Sequence, residues 1–174
     1  MERCVNALKE WTGKAKATIV YDSTVDEFTA NEIFNNVKGK PNIAVVGFTT
    51  DGDVFGGFYS VAVTEQWKYF KDPTTFIFSF ESRGRCETPQ QFVPKKWRKD
   101  EASVMFCNDR YGFVQVGVFC VGDFWLGDES SDSYCYNLSG GFEGLEDTTM
   151  TDQDGTNSRG PYHHCARLVA VLLE

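Results

Sequence analysis

The stretch "TTDGDVFGGF", residues 49–58, packs two acids and three glycines into ten positions, and its reading decides the fold. Three chemistries use such ingredients. A helix-loop-helix calcium site needs oxygen ligands at alternating positions and a closing Glu about twelve residues from the first. Asp51 and Asp53 begin that pattern, but Phe55, Gly57 and Tyr59 follow, and the flanks are strand-like. A phosphate cradle needs glycines leading into a helix whose free N–H groups face the anion. Here the loop has no lysine and runs into a β-branched segment. The remaining reading is a hairpin. Asp-Gly between apolar strands is a strong short-range hairpin signal, and a type I′ turn with φ > 0 at Asp51 and Gly52 is expected. Gly56 and Gly57 then mark a bulge or a close backbone crossing inside the second strand.

Working outward, more strands follow the same grammar. Residues 17–23, 42–50, 54–63, 75–81, 102–108, 112–119, 123–127 and 164–173 are rich in β-branched and aromatic side chains. Short turn-bounded strands at this density predict an α+β, mostly β chain: a two-sheet antiparallel β-sandwich with a few flanking short helices. One helix is well marked, since Thr29-Ala30-Asn31-Glu32 fits a capping box. Ile33, Phe34 and Val37 share its face, and Gly39 and Pro41 end it. A second helix is expected over residues 64–72 and a third at the start of the chain. Residues 128–162 read as loop, long enough to conceal a short strand.

With 174 residues the chain can bury a real core, and no segment approaches the roughly 18 consecutive apolar residues of a membrane span. The charged start, "MERCVNALKEW", lacks the apolar centre of a secretory signal. The expectation is a soluble cytoplasmic protein with no transmembrane segment. Its six cysteines are read as free thiols.

The net charge of −8 is unevenly placed. Residues 1–100 carry 14 Lys or Arg against 13 acids, whereas residues 101–174 carry 3 Arg against 12 acids. An acidic half repels phosphate backbones, so nucleic acid is excluded as partner. Asp128, Glu129, Asp132, Glu143, Glu146 and Asp147 are candidates for meeting a basic protein surface, or else they solvate a long loop. Residues 94–100, "PKKWRKD", group four bases around Trp97, an arrangement seen on anionic surfaces. A solvated turn is the plainer reading, and Trp97 plugging the core is a third.

No catalytic constellation emerges. His163 and His164 stand beside Cys165 with no C-x-x-C pair, which argues against zinc, and no metal or cofactor is expected. No serine sits in a G-x-S-x-G elbow. Cys86, flanked by Arg83 and Arg85, is the thiol with the best local case for redox activity. Cys107 and Cys120 lie in apolar strands and should be inert.

The order of segments resembles the TLDc domain. Tyr21-Asp22-Ser23, Asp26-Glu27-Phe28, Lys38-Gly39-Lys40-Pro41 and "DGDVFGG" at 51–57 stand where that family has its opening strand, corner, turn and hairpin. "DPTTFIFSFE", "ASVMFCNDRYGF", "VGDFWLG", "SYCYNLSGGFEG" and "ARLVAVLL" follow in the family's order, from about residue 17 to 173. Residues 113–116 depart from the pattern, and "ETPQQFVPKKWRKD" and the acidic stretch 146–154 are additions to it. Residues 1–16 are set apart as a helical N-terminal extension and 17–174 as the TLDc-like domain. The resemblance implies a non-catalytic protein-interaction module linked to oxidative-stress resistance, acting through binding and regulation of the vacuolar proton-pumping ATPase. The alternative is a redox-active protein that uses a cysteine directly.

Overall fold

The computed structural model describes residues 2–84, 88–107, 115–120, 124–127, 134–135, 138–145 and 165–174. In chain order the elements are α1 (Glu2–Thr12), β1 (Ala17–Asp22), α2 (Ala30–Val37), β2 (Ile43–Thr49), β3 (Val54–Tyr59) and β4 (Phe70–Lys71). Then come β5 (Phe76–Glu81), β6 (Gln90–Phe92), a 3-10 helix (Lys96–Glu101), β7 (Ala102–Phe106) and β8 (Gln115–Cys120). The chain finishes with β9 (Phe124–Gly127), β10 (Tyr134–Cys135), α3 (Leu138–Gly141) and β11 (Cys165–Leu173). Two antiparallel sheets result: β1-β11-β2-β3-β5-β6 and β10-β9-β8-β7-β4.

Period-two alternation sorts the six-stranded sheet into two apolar faces. Tyr21, Ile43, Val45, Phe55, Tyr59, Ile77 and Ala170 point to the inner face. There they meet Val104 and Phe106 of the second sheet and Ile33, Phe34 and Val37 of α2. Ala44, Val46, Phe58, Phe76, Phe78, Phe80 and Val171 point outward, and α1 covers them through Leu8 and Trp11. Trp11 meets a ladder of rings on β5: stacked on Phe80 at 5.9 Å and 11°, tilted on Phe78 at 6.1 Å, and edge-on to Phe76 at 6.0 Å. The sheet is therefore packed on both faces.

Gly56 makes this crossing possible. A Cβ there would collide with the Val45 carbonyl oxygen and lie 2.8 Å from Cζ of Phe78. Phe78 is its direct cross-strand partner, so the ring covers the glycine. One residue earlier the β3–β5 register slips, where Val54 faces Glu81 and Phe55 faces Ser79.

Several expectations are corrected. Residues 64–72 form no helix: Trp67 takes φ 60, its N–H goes to Phe106 O at 2.8 Å, and Phe70–Lys71 pair with β7 as β4. Pairing at the β7 edge overrides the local propensity. β3 stops at Tyr59 instead of Val63, because the Ser60 N–H turns to Asp72 Oδ2 at 2.5 Å. The α2 capping box is half made. Thr29 Oγ1 accepts from the Glu32 N–H at 3.2 Å, while Glu32 Oε1 accepts from Asn36 Nδ2.

Candidate functional site

The hairpin of residues 49–53 exists, but its turn is not type I′. Only Gly52 has positive φ, at 95°, and Asp51 does not. Gly52 N–H donates to Thr49 O at 3.1 Å and Thr49 N–H donates to Asp53 O at 2.9 Å. Three residues, 50–52, lie between the bonded residues Thr49 and Asp53, with glycine in the left-handed position, the pattern of a type I turn followed by a G1 bulge. The two acids then part company. Asp51 is exposed, whereas Asp53 is buried and takes both Nε (3.2 Å) and Nη2 (3.1 Å) of Arg83. Asp53 is thus held by a guanidinium that spans from the turn after β5. Among the described residues no group of three or more His, Cys, Asp or Glu is placed to hold a metal ion.

A second buried carboxylate lies at the other end of β3. Asp72 accepts from Ser60 N–H (2.5 Å) and Oγ (3.0 Å) and from Thr74 N–H (3.0 Å) and Oγ1 (2.7 Å). Four donors satisfy it, so it ties the end of β3 to the start of β5 as a strut. The sequence carried no strong signal for this role beyond an Asx-type "DPTT" turn.

Cys86 lies outside the described residues, as do His163 and His164. Arg83, one of the two arginines beside Cys86 in sequence, is engaged by Asp53. Of the described thiols, Cys107 and Cys165 are buried, and Cys4 is partly buried on α1. Burial pushes Cys107 up to about 11 and raises Cys4, so neither favours the thiolate.

Of the candidate partner-binding acids, Asp128, Glu129, Asp132, Glu146 and Asp147 lie outside the described residues. Glu143 is exposed at the turn after α3. Its N–H donates to Val93 O at 2.9 Å, Lys95 N–H donates to Gly141 O at 2.9 Å, and Pro94 bridges Phe142. This seam sets Glu143 beside the basic turn. On that turn Trp97 is 66% exposed, with the Arg98 guanidinium over its ring at 4.5 Å and Arg98 Nη1 at 3.7 Å from Glu101. Trp97 does not plug the core; it stands on an exposed 3-10 helix, Lys96–Glu101.

An apolar cleft of about 270 Å³ opens between the first turns of α1 and the outer face of the six-stranded sheet. Cys4, Leu8, Ile19, Phe48, Phe80 and Val171 are among its walls.

Residues 2–154 match the TLDc domain family. The chain belongs to that family. No curated relative matches it. The matched range of this TLDc domain includes α1, so it takes in the helix that roofs the outer sheet face. β11 of the TLDc domain lies beyond the match in sequence, yet its strand is bonded between β1 and β2.

Proposed function

We propose that this TLDc domain is a cytoplasmic, non-catalytic protein-interaction module that serves oxidative-stress resistance by binding and regulating the vacuolar proton-pumping ATPase. Membership of the TLDc family carries the reading, over residues 2–154. The charge pattern supports it: an acidic half suits a basic protein surface and not a phosphate backbone. A free thiol at Cys107 agrees with a reducing compartment.

The test mixes the purified chain with purified proton-pumping ATPase and follows co-sedimentation in the absence of nucleotide, with ADP and with ATP. Binding that weakens as salt rises from 50 to about 300 mM is expected, because rim charges screen within about 10 Å at 0.1 M. Lack of co-sedimentation under all three nucleotide conditions removes this partner.

A further inference from the structure

The outer edge of β1 is open over a short, definable stretch. Lys16 and Glu174 exchange both backbone bonds, at 2.8 and 2.9 Å. In an antiparallel ladder the inward-bonded residues alternate, so Ala17 and Ile19 turn their N–H and C=O away from β11. Among the described residues no backbone or side-chain partner meets those outward groups. Beyond Ile19 the edge closes. The register slips between Ile19 and Tyr21, and the Asp22 N–H is taken by Asp26 Oδ2 at 2.8 Å. Ile19 is 50% exposed, the large apolar side chain that this edge shows to solvent.

We propose that this stretch is a self-association edge, pairing antiparallel with the same stretch of a second copy about a two-fold axis at Thr18. Ala17 of each copy then exchanges both backbone bonds with Ile19 of the other. Each Ile19 side chain lies against the other copy's Ala17 on the face that α1 covers, since Ala17 packs with the α1 cluster and Ile19 walls the adjoining cleft. The charges favour a second copy over an unrelated strand. The approach to β1 carries Lys14 and Lys16, and its far end carries Asp22, Asp26 and Glu27. Antiparallel pairing sets the basic end of one copy against the acidic end of the other. Lys16 already meets Glu174 at 3.2 Å, but its side chain stays 70% exposed and within reach of a second acid. The bulge after Ile19 limits the pairing to a few residues, and the two-fold axis uses up the edge. A weak closed dimer forms in place of an open fibre.

Sedimentation velocity over a concentration series tests this. The chain, 19.6 kDa, should move toward twice that mass as concentration rises, and less so at high salt. Ile19→Pro removes an outward N–H without touching a bond to β11, and Ile19→Lys sets like charges across the axis. Both should remain monomeric with native circular dichroism, Ile19→Lys being the safeguard should the proline disturb the strand. Hydrogen exchange at Ala17 and Ile19 should slow with concentration in the wild type only. A chain that stays monomeric to millimolar concentration overturns the proposal. So does a dimer that survives in both variants, or one that leaves these two amides unprotected.

Discussion

Arg167 of β11 holds Asp22 at the end of β1 by two parallel contacts, Nε to Oδ1 at 2.9 Å and Nη2 to Oδ2. The same guanidinium lies over the Phe48 ring at 5.3 Å, so one side chain joins β1, β11 and β2. Ser23 continues the seam: its N–H donates to Leu168 O, and its Oγ accepts from the Leu168 N–H. The Tyr21-Asp22-Ser23 segment singled out in the sequence is thus where the two ends of the domain are fastened.

That pair predicts a pH dependence. The Arg167 hydrogen bonds hold the Asp22 carboxyl at about 2, below its ordinary 3.8. A lowered folded value means the contribution is complete above the unfolded value and is lost as pH falls through the folded one. Denaturant melts should show wild-type stability declining between about pH 4 and pH 2. Asp22→Asn should cost about 1–3 kcal/mol at pH 7 and flatten that decline. An unchanged slope in the variant would assign the decline to other carboxylates.

The hairpin predicts an asymmetry between neighbours. Gly52 holds φ 95, so Gly52→Val should destabilise by about 1–3 kcal/mol. Asp51→Asn, on an exposed turn position that needs no carboxylate, should lie within about 0.5 kcal/mol of wild type. Thermal melts with calcium and with chelator should agree for all three proteins. A calcium-dependent gain lost in Asp51→Asn would restore the metal reading.

Gly56→Ala should cost more than a Gly-to-Ala change in a typical strand. The new Cβ meets the Val45 carbonyl and the Phe78 ring, so overpacking of about 1–3 kcal/mol or more is expected in chemical denaturation. A stabilised variant would mean that the sheet relaxes at this crossing.

Trp11→Ala should uncouple α1 from the sheet. Losing the contacts with Phe76, Phe78 and Phe80 is expected to cost about 3 kcal/mol. Cys4, held back by burial on the same helix, should then react faster with a thiol reagent at neutral pH. Cys107 and Cys165 should stay slow in both proteins. If the alternative of direct cysteine chemistry holds, Cys86 outpaces a model thiol in this assay. If Cys86 reacts no faster than the model thiol, that alternative fails.

The long strands and α2 were legible because their apolar residues repeat with one clear period: Ile43 and Val45 inward, Ala44 and Val46 outward. β4, β6 and β10 were not, because two- or three-residue strands such as "FK" and "QQF" carry too few alternations to register. Their existence depends on a neighbour's free ladder, which local sequence does not encode. The turn type at Asp51 is not legible locally, because Asp-Gly serves both a two-residue and a three-residue connection, and the register of Phe48 against Val54 selects between them. At the candidate site, the Asp53–Arg83 pair spans 30 residues of sequence and the seam of Val93 with Glu143 spans 50. Charges visible in the sequence gave no hint of which would find each other at such separations.

The strand order β1-β11-β2 has a consequence for synthesis on the ribosome. β1 and β2 emerge early, but the strand that bonds to both is Cys165–Leu173. At about 5–20 residues per second, the nascent chain waits on the order of ten seconds between the two events. During that interval β1 lacks β11, its one sheet partner among the described residues, and β2 has a bare flank, while α1 has an incomplete surface to settle on. The nascent domain therefore passes through a sticky, half-built stage in which a chaperone has a defined target, the Val- and Ile-rich flank of β2. Translation pauses placed before codon 165 should lengthen that exposure, because β11 has not yet been made.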